Sequence, residues 1–132
     1  MISAQRPGRV LVMDDEEFVL EMVADILEGI GLVVELASNG QDAVRLYKEA
    51  FEMGNPFQVV IMDLVIPAGM GGKEAIMELK KIDPNVKAIV SSGYSNDPIM
   101  SNFLKYGFSD VIAKPYKIKE LQDAVKTILE MQ

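Results

Sequence analysis

Five short apolar runs, each followed by apolar residues at helical spacing, constrain this chain more than any other feature. The runs cover residues 9–14, 32–37, 57–62, 86–91 and 110–113. Most are rich in Val and Ile and nearly continuous, the pattern of parallel strands buried on both faces. After the first run, Phe18, Val19, Met22, Val23, Ile26, Leu27 and Ile30 form a helical stripe, with Gly29 and Gly31 at its end. Ala43, Val44, Leu46, Tyr47, Ala50 and Phe51 form the second, with Ser38 or Asn39 as N-cap and Gly54 beyond. Ala75, Ile76, Leu79 and Ile82 form the third, stopped by Asp83–Pro84. Asp97 and Pro98 open a fourth helix, predicted to run to Gly107. Ile118, Leu121, Val125, Ile128 and Leu129 mark the fifth. Five βα repeats of this length predict a doubly wound α/β domain with a five-stranded parallel sheet and right-handed crossovers.

Composition narrows the chemistry. A chain of 132 residues suits one domain with one core. Its net charge of −7 argues against nucleic acid or an anionic membrane as a direct partner, because both attract cationic surface. No apolar run approaches the ~20 residues of a membrane span. The opening "MISAQRPG" is polar and lacks the apolar centre of a signal peptide. Residues 1–8 are therefore expected to be a tail or linker and 9–132 the domain, in the cytosol. The chain has no Cys and no His. The first absence removes disulfides and thiol chemistry; the second removes Ser-His-Asp triads, imidazole proton shuttles and His metal sites. Any metal must sit on oxygen ligands, which points to Mg²⁺, Mn²⁺ or Ca²⁺.

Ligands of open α/β sheets bind beyond the carboxyl ends of the strands, where strand order reverses. The first run ends in Asp14 and Asp15, within "VLVMDDEEFVL". The third leads into Asp63, within "VVIMDLVIP", the fourth into Ser91 and Ser92, within "AIVSSGY", and the fifth into Lys114, within "VIAKPY". Each has an ordinary reading alone: an Asp after a strand caps a helix or a turn, a Ser does the same, and a Lys is a solvated charge. Asp63 strains that reading, because a carboxylate inside an apolar run needs a partner. Converging carboxylates repel one another unless a cation joins them, so the acids after the first run read as one wall of a cation site. Glu16 and Glu17 are more simply acids in a helix's first turn.

The ordered set "MDDE", "MDLVIP…GG", "VSSG" and "AKP" resembles the response-regulator receiver domains of two-component signalling, from about residue 9 to residue 131. The resemblance implies a flavodoxin-like, CheY-like (βα)5 fold with strand order 2-1-3-4-5. It implies that Asp63 is the phosphoacceptor, taking a phosphoryl group from a phosphohistidine on a partner histidine kinase or phosphotransfer domain. Mg²⁺, for which Mn²⁺ substitutes, would be held by Asp14, Asp15, Asp63 and the backbone carbonyl of Val65. Ser91, with Ser92 beside it, would bond the phosphoryl oxygens, and Lys114 would pair with the carboxylate and then the phosphate. Pro115 stands where the family has a cis peptide. The output face would be helix four, strand five and helix five.

Two departures stand out. Many receivers have Tyr or Phe three residues before the lysine; here that position is Val111, and Tyr94 in the preceding loop is a candidate substitute. "PAGMGG" at 67–72 is unusually rich in glycine, suggesting a mobile loop or a tight turn with positive φ. "GRVLVMDDEE" and "IPAGMGG" are similar to receivers attached to hybrid sensor histidine kinases. Among other readings, an aspartyl-phosphate phosphohydrolase would carry an Asp where this chain has Val65. A phosphorylation-independent docking domain would lack one of the acids or the lysine. A flavin domain would follow the first strand with a phosphate-cradling loop rather than acids.

Overall fold

A computed structural model describes residues 7–93 and 96–131. The strands are β1 (Arg9–Met13), β2 (Val33–Ala37), β3 (Val59–Asp63), β4 (Ala88–Ser92) and β5 (Asp110–Ala113). The helices between and after them are α1 (Glu17–Glu28), α2 (Gly40–Glu52), α3 (Gly72–Ile82), α4 (Pro98–Ser101) and α5 (Ile118–Glu130). All strand pairs are parallel, in the order β2-β1-β3-β4-β5. The chain therefore has the doubly wound, CheY-like flavodoxin fold. Of its predicted lead-in, residues 1–6 lie outside the described residues.

The strand sequences explain the two-sided core. Successive side chains of a strand point to opposite faces. Leu11 and Met13 of β1 join Tyr47, Ile76 and Leu79 on the side of α2 and α3. Val10 and Val12 join Leu20, Val23, Leu27, Leu121 and Val125 on the side of α1 and α5. Every residue of β3 and β4 is buried, which is why these runs are apolar without alternation. Each fully buried Val, Leu or Ile contributes about 1.5–3 kcal/mol over its exposed state.

Strand ends shift slightly from the sequence reading. β3 and β4 start at Val59 and Ala88, where pairing with Val10 and Val60 begins. Phe57 and Val86 sit outside the ladder but remain buried, closing the core from below. At the other end the strands extend to Asp63 and Ser92, so Asp63 is itself a strand residue with Ser91 as its register partner.

The fourth helix is a correction. It ends at Ser101 and does not continue to Gly107. Ser101 Oγ and Asn102 Nδ2 both donate to the Pro98 carbonyl, at 3.2 and 2.9 Å, so side chains share the acceptor that helix propagation uses. Asn102 leaves helical geometry at φ −122°. The chain then follows tight turns, with Lys105, Tyr106 and Gly107 each donating to the carbonyl three residues earlier. Gly107, at φ +102°, reverses direction into β5. Among the described residues no helix is long and apolar enough to cross a membrane.

Candidate functional site

The order β2-β1-β3-β4-β5 places the carboxyl ends of β1, β3, β4 and β5 side by side. Asp14 follows β1, Asp63 closes β3, Ser91 lies in β4 and Lys114 follows β5. Residues scattered over a hundred positions thus meet at one edge.

Lys114 joins the two buried acids. Its Nζ donates to Asp63 Oδ2 at 3.1 Å and lies 2.5 Å from Asp14 Oδ2. Asp14 is fully buried and Asp63 is 8% exposed. Asp14 Oδ1 accepts the backbone N–H of Glu16 at 3.0 Å, which fixes the carboxylate across the turn into α1. Asp14 Oδ2 touches the Lys114 ammonium but accepts no hydrogen bond of ordinary angle among the described residues. Burial pushes the Asp63 carboxyl above its usual pKa; Lys114 opposes this, Asp14 adds to it, and the Val65 N–H works against it. Burial also works against the Lys114 charge, yet the hydrogen bonds and charges of the two aspartates outweigh it, so its pKa is raised.

Asp15 and Glu16 are exposed, and each places a carboxylate oxygen within 4.8 Å of one from Asp14. Among the described residues neither has an ion-pair partner. Sequence reasoning gave Glu16 to the helix terminus; it is the N-cap of α1 and also belongs to this acidic group. The donor set is all oxygen, acids outnumber the one lysine, and among the described residues the buried Asp14 Oδ2 has only the Lys114 ammonium beside it. Those features fit a hard divalent cation.

Ser91 Oγ is buried, accepts a hydrogen bond from the Tyr116 hydroxyl at 2.7 Å and reaches the Met62 carbonyl at 3.5 Å. Tyr116 was not singled out from the sequence, because nothing there shows where a phenol two residues past Lys114 points. Ser92 is also buried, but strand alternation turns it to the other side of β4 from Ser91. Its register partner is Ala113. The Lys114–Pro115 peptide bond is cis. Val111 is partly buried and packs against the core on the α2–α3 side. Tyr94 lies outside the described residues.

The turn after Asp63 uses its glycines for closeness. Gly69, Gly71 and Gly72 are not among the glycines with positive φ. A Cβ on Gly71 would stand 2.5 Å from the Leu64 carbonyl oxygen, and one on Gly72 2.8 Å from that of Asp63. Missing side chains let the start of α3 press onto the backbone of 63–66. The Gly71 N–H donates to Glu74 Oε1 at 3.2 Å, which secures that start. Val65, on the same turn, is exposed.

Comparison with known proteins agrees with this architecture. The model of the response regulator receiver domain matches residues 10–126. The chain is 37% identical over 121 residues to the chemotaxis protein CheY of Thermotoga maritima, covering 91% of this chain and 96% of that protein. It is 33% identical over 126 residues to the sensor kinase CckA of Brucella abortus, covering 93% of this chain but 13% of the kinase. Among solved structures, a chain of the CheX-CheY-BeF3-Mg complex from Borrelia burgdorferi superposes with a TM-score of 0.84 at 24% identity, over 93% of this chain and 90% of that one. On the family match and the identity to CheY, the chain belongs to the response regulator receiver domains of two-component signalling.

Proposed function

We propose that Asp63 accepts a phosphoryl group from a phosphohistidine of a partner histidine kinase or phosphotransfer domain. The observation that carries this reading is the single ammonium of Lys114 shared by Asp63 and Asp14, with the Ser91 hydroxyl on the neighbouring strand. A shared cation favours the ionised Asp63 carboxylate and opposes the effect of burial, as a nucleophile requires. Lys114 engages Oδ2, and the other carboxylate oxygen, Oδ1, is the one that attacks phosphorus. The new O–P bond forms as the P–N bond to the donor imidazole breaks, and that imidazole takes a proton from solvent. Lys114 then pairs with a phosphoryl oxygen, and the Ser91 hydroxyl donates a hydrogen bond to another. Because the transferring group is loose and negative, positioning and positive charge supply most of the catalysis.

Asp14, Asp15, Asp63 and the Val65 carbonyl are the groups that would hold Mg²⁺, with Mn²⁺ as a substitute. When bound, the ion supplies positive charge that lets the carboxylates coexist with the incoming phosphoryl oxygens. The described acids have one lysine among them, so the donor set has capacity for such an ion. The signal leaves through α4, β5 and α5, where Leu104 and Tyr106 are exposed on the turns before β5.

The test is intact-mass spectrometry after incubation with acetyl phosphate and Mg²⁺. The wild type gains one phosphoryl group and Asp63→Asn gains none. Equal labelling of the Asn variant overturns the acceptor assignment.

A further inference from the structure

The phenol of Tyr116 is a polar group at this edge that the mechanism above leaves unused. It lies two residues past Lys114 in sequence, and its hydroxyl is aimed at β4, where it donates to Ser91 Oγ at 2.7 Å. Burial pushes its pKa up to about 12, so the phenol keeps its proton across the physiological range. Ser91 Oγ has one proton of its own to give. In the resting arrangement its other neighbour is the Met62 carbonyl, at 3.5 Å, on the strand that carries Asp63. The three groups form a chain: Tyr116 O–H to Ser91 Oγ, Ser91 O–H to Met62 O. Its short link is the one from Tyr116, which therefore holds Ser91 more firmly than the long link to Met62.

We infer that Tyr116 is a positioning residue that latches the Ser91 hydroxyl in its resting orientation, so that phosphoryl binding at Asp63 must first break a phenol–serine hydrogen bond. This rests on the phosphoacceptor reading above and adds its regulation. A Ser91 hydroxyl that turns to a phosphoryl oxygen gives up Met62 and moves away from the phenol, which then loses its acceptor. That acceptor is worth keeping, because Tyr116 is partly buried against the apolar cluster on the α1–α5 side, beside a cleft that Val19 and Met22 of α1 also line. The latch therefore favours the resting state by one neutral hydrogen bond. It also gives the switch an aromatic member at 116, directly bonded to the hydroxyl that moves, where position 111 carries only Val.

The experiment is a double-mutant cycle on Mg²⁺-dependent beryllofluoride binding, with Tyr116→Phe, Ser91→Ala and the pair. Tyr116→Phe keeps the ring and removes the bond. It should tighten beryllofluoride binding about 3- to 10-fold, the size of one net hydrogen bond. In the Ser91→Ala background the same change should do nothing. A second readout needs no ligand: the Ser91 χ1 couplings, measured by NMR, should report one rotamer in the wild type and averaging in Tyr116→Phe. Unchanged or weaker binding in Tyr116→Phe overturns the latch, as does an equal gain in the Ser91→Ala background. If the wild type binds no beryllofluoride at all, the phosphoacceptor reading fails. The Ser91 rotamer then decides the latch alone: averaging on loss of the phenol hydroxyl upholds it, and an unaltered rotamer overturns it.

Discussion

Lys114→Met removes a charge while keeping most of the side chain's length and apolar volume. In the wild type its ammonium lies 2.5 Å from Asp14 Oδ2 and 3.1 Å from Asp63 Oδ2. Among the described residues no second cation pairs with either acid. The side chains of Lys114 and Asp63 are 17% and 12% exposed and that of Asp14 1%, so water reaches the pair only from one side. Leaving a buried charge without its partner costs about 3–5 kcal/mol, and the partial opening at Asp63 places this case near the lower end, about 3 kcal/mol. The cost should depend on solution conditions. Asp63 already holds its proton more tightly than an ordinary Asp, so without Lys114 it protonates more readily as pH falls, and the two negative charges become one. A divalent cation on the same oxygens relieves the repulsion another way. Urea unfolding at pH 7 with chelator should show the full loss relative to wild type. The loss should shrink as pH falls from neutrality toward the carboxylate range, and again at pH 7 on adding Mg²⁺ to about ten times its Kd, which stabilises a binding state by about 1.4 kcal/mol. A loss under about 0.5 kcal/mol, the scale of an exposed pair, refutes the burial argument. A full loss indifferent to both pH and Mg²⁺ refutes the electrostatic one.

Asp63→Asn should be more stable than the wild type in chelator at pH 7. The folded-state pKa of Asp63 lies above its ordinary value of 3.8, so ionising it costs the fold stability as pH rises through that value, and the amide avoids the cost. The gap should close as pH falls below 3.8, and Mg²⁺ should narrow or reverse it at pH 7; thermal melts across pH that show Asp63→Asn less stable at neutrality contradict the sign. Gly71→Ala puts a methyl group 2.5 Å from the Leu64 carbonyl oxygen and 3.1 Å from Val65 Cα. It should cost about 1–3 kcal/mol through overpacking and, by displacing the Val65 carbonyl, weaken Mg²⁺ binding measured by calorimetry; unchanged metal affinity separates that carbonyl from the site.

The sheet was legible because its central strands β1, β3 and β4 are buried on both faces, and two-sided burial leaves nearly continuous apolar runs. Chemical residues at strand ends were legible for a related reason: Asp63 interrupts an apolar run, and Lys114 ends another. The fourth helix misled because its opening signals, Asp97 and Pro98, are genuine, whereas it ends where Ser101 and Asn102 side chains share the Pro98 carbonyl with the backbone and Asn102 leaves helical geometry. Polar side chains in a first turn do not announce whether they face solvent or the backbone. The glycines at 69–72 were read as freedom in φ, when two of them are there for closeness, a distinction that rests on what lies opposite. The bond from Tyr116 to Ser91 spans 25 positions and two strands' ends, and a sequence has no signal for the direction of a phenol.

The claim on which the account depends is that acids from β1 and β3 share one divalent cation at this edge. Anomalous diffraction from a crystal soaked in Mn²⁺ locates such an ion directly. The account predicts one peak bound by carboxylates of both Asp15 and Asp63 and by the Val65 carbonyl, with Asp14 close by. A peak held by Asp15 and Glu16 away from Asp63, or no peak at saturating Mn²⁺, contradicts it.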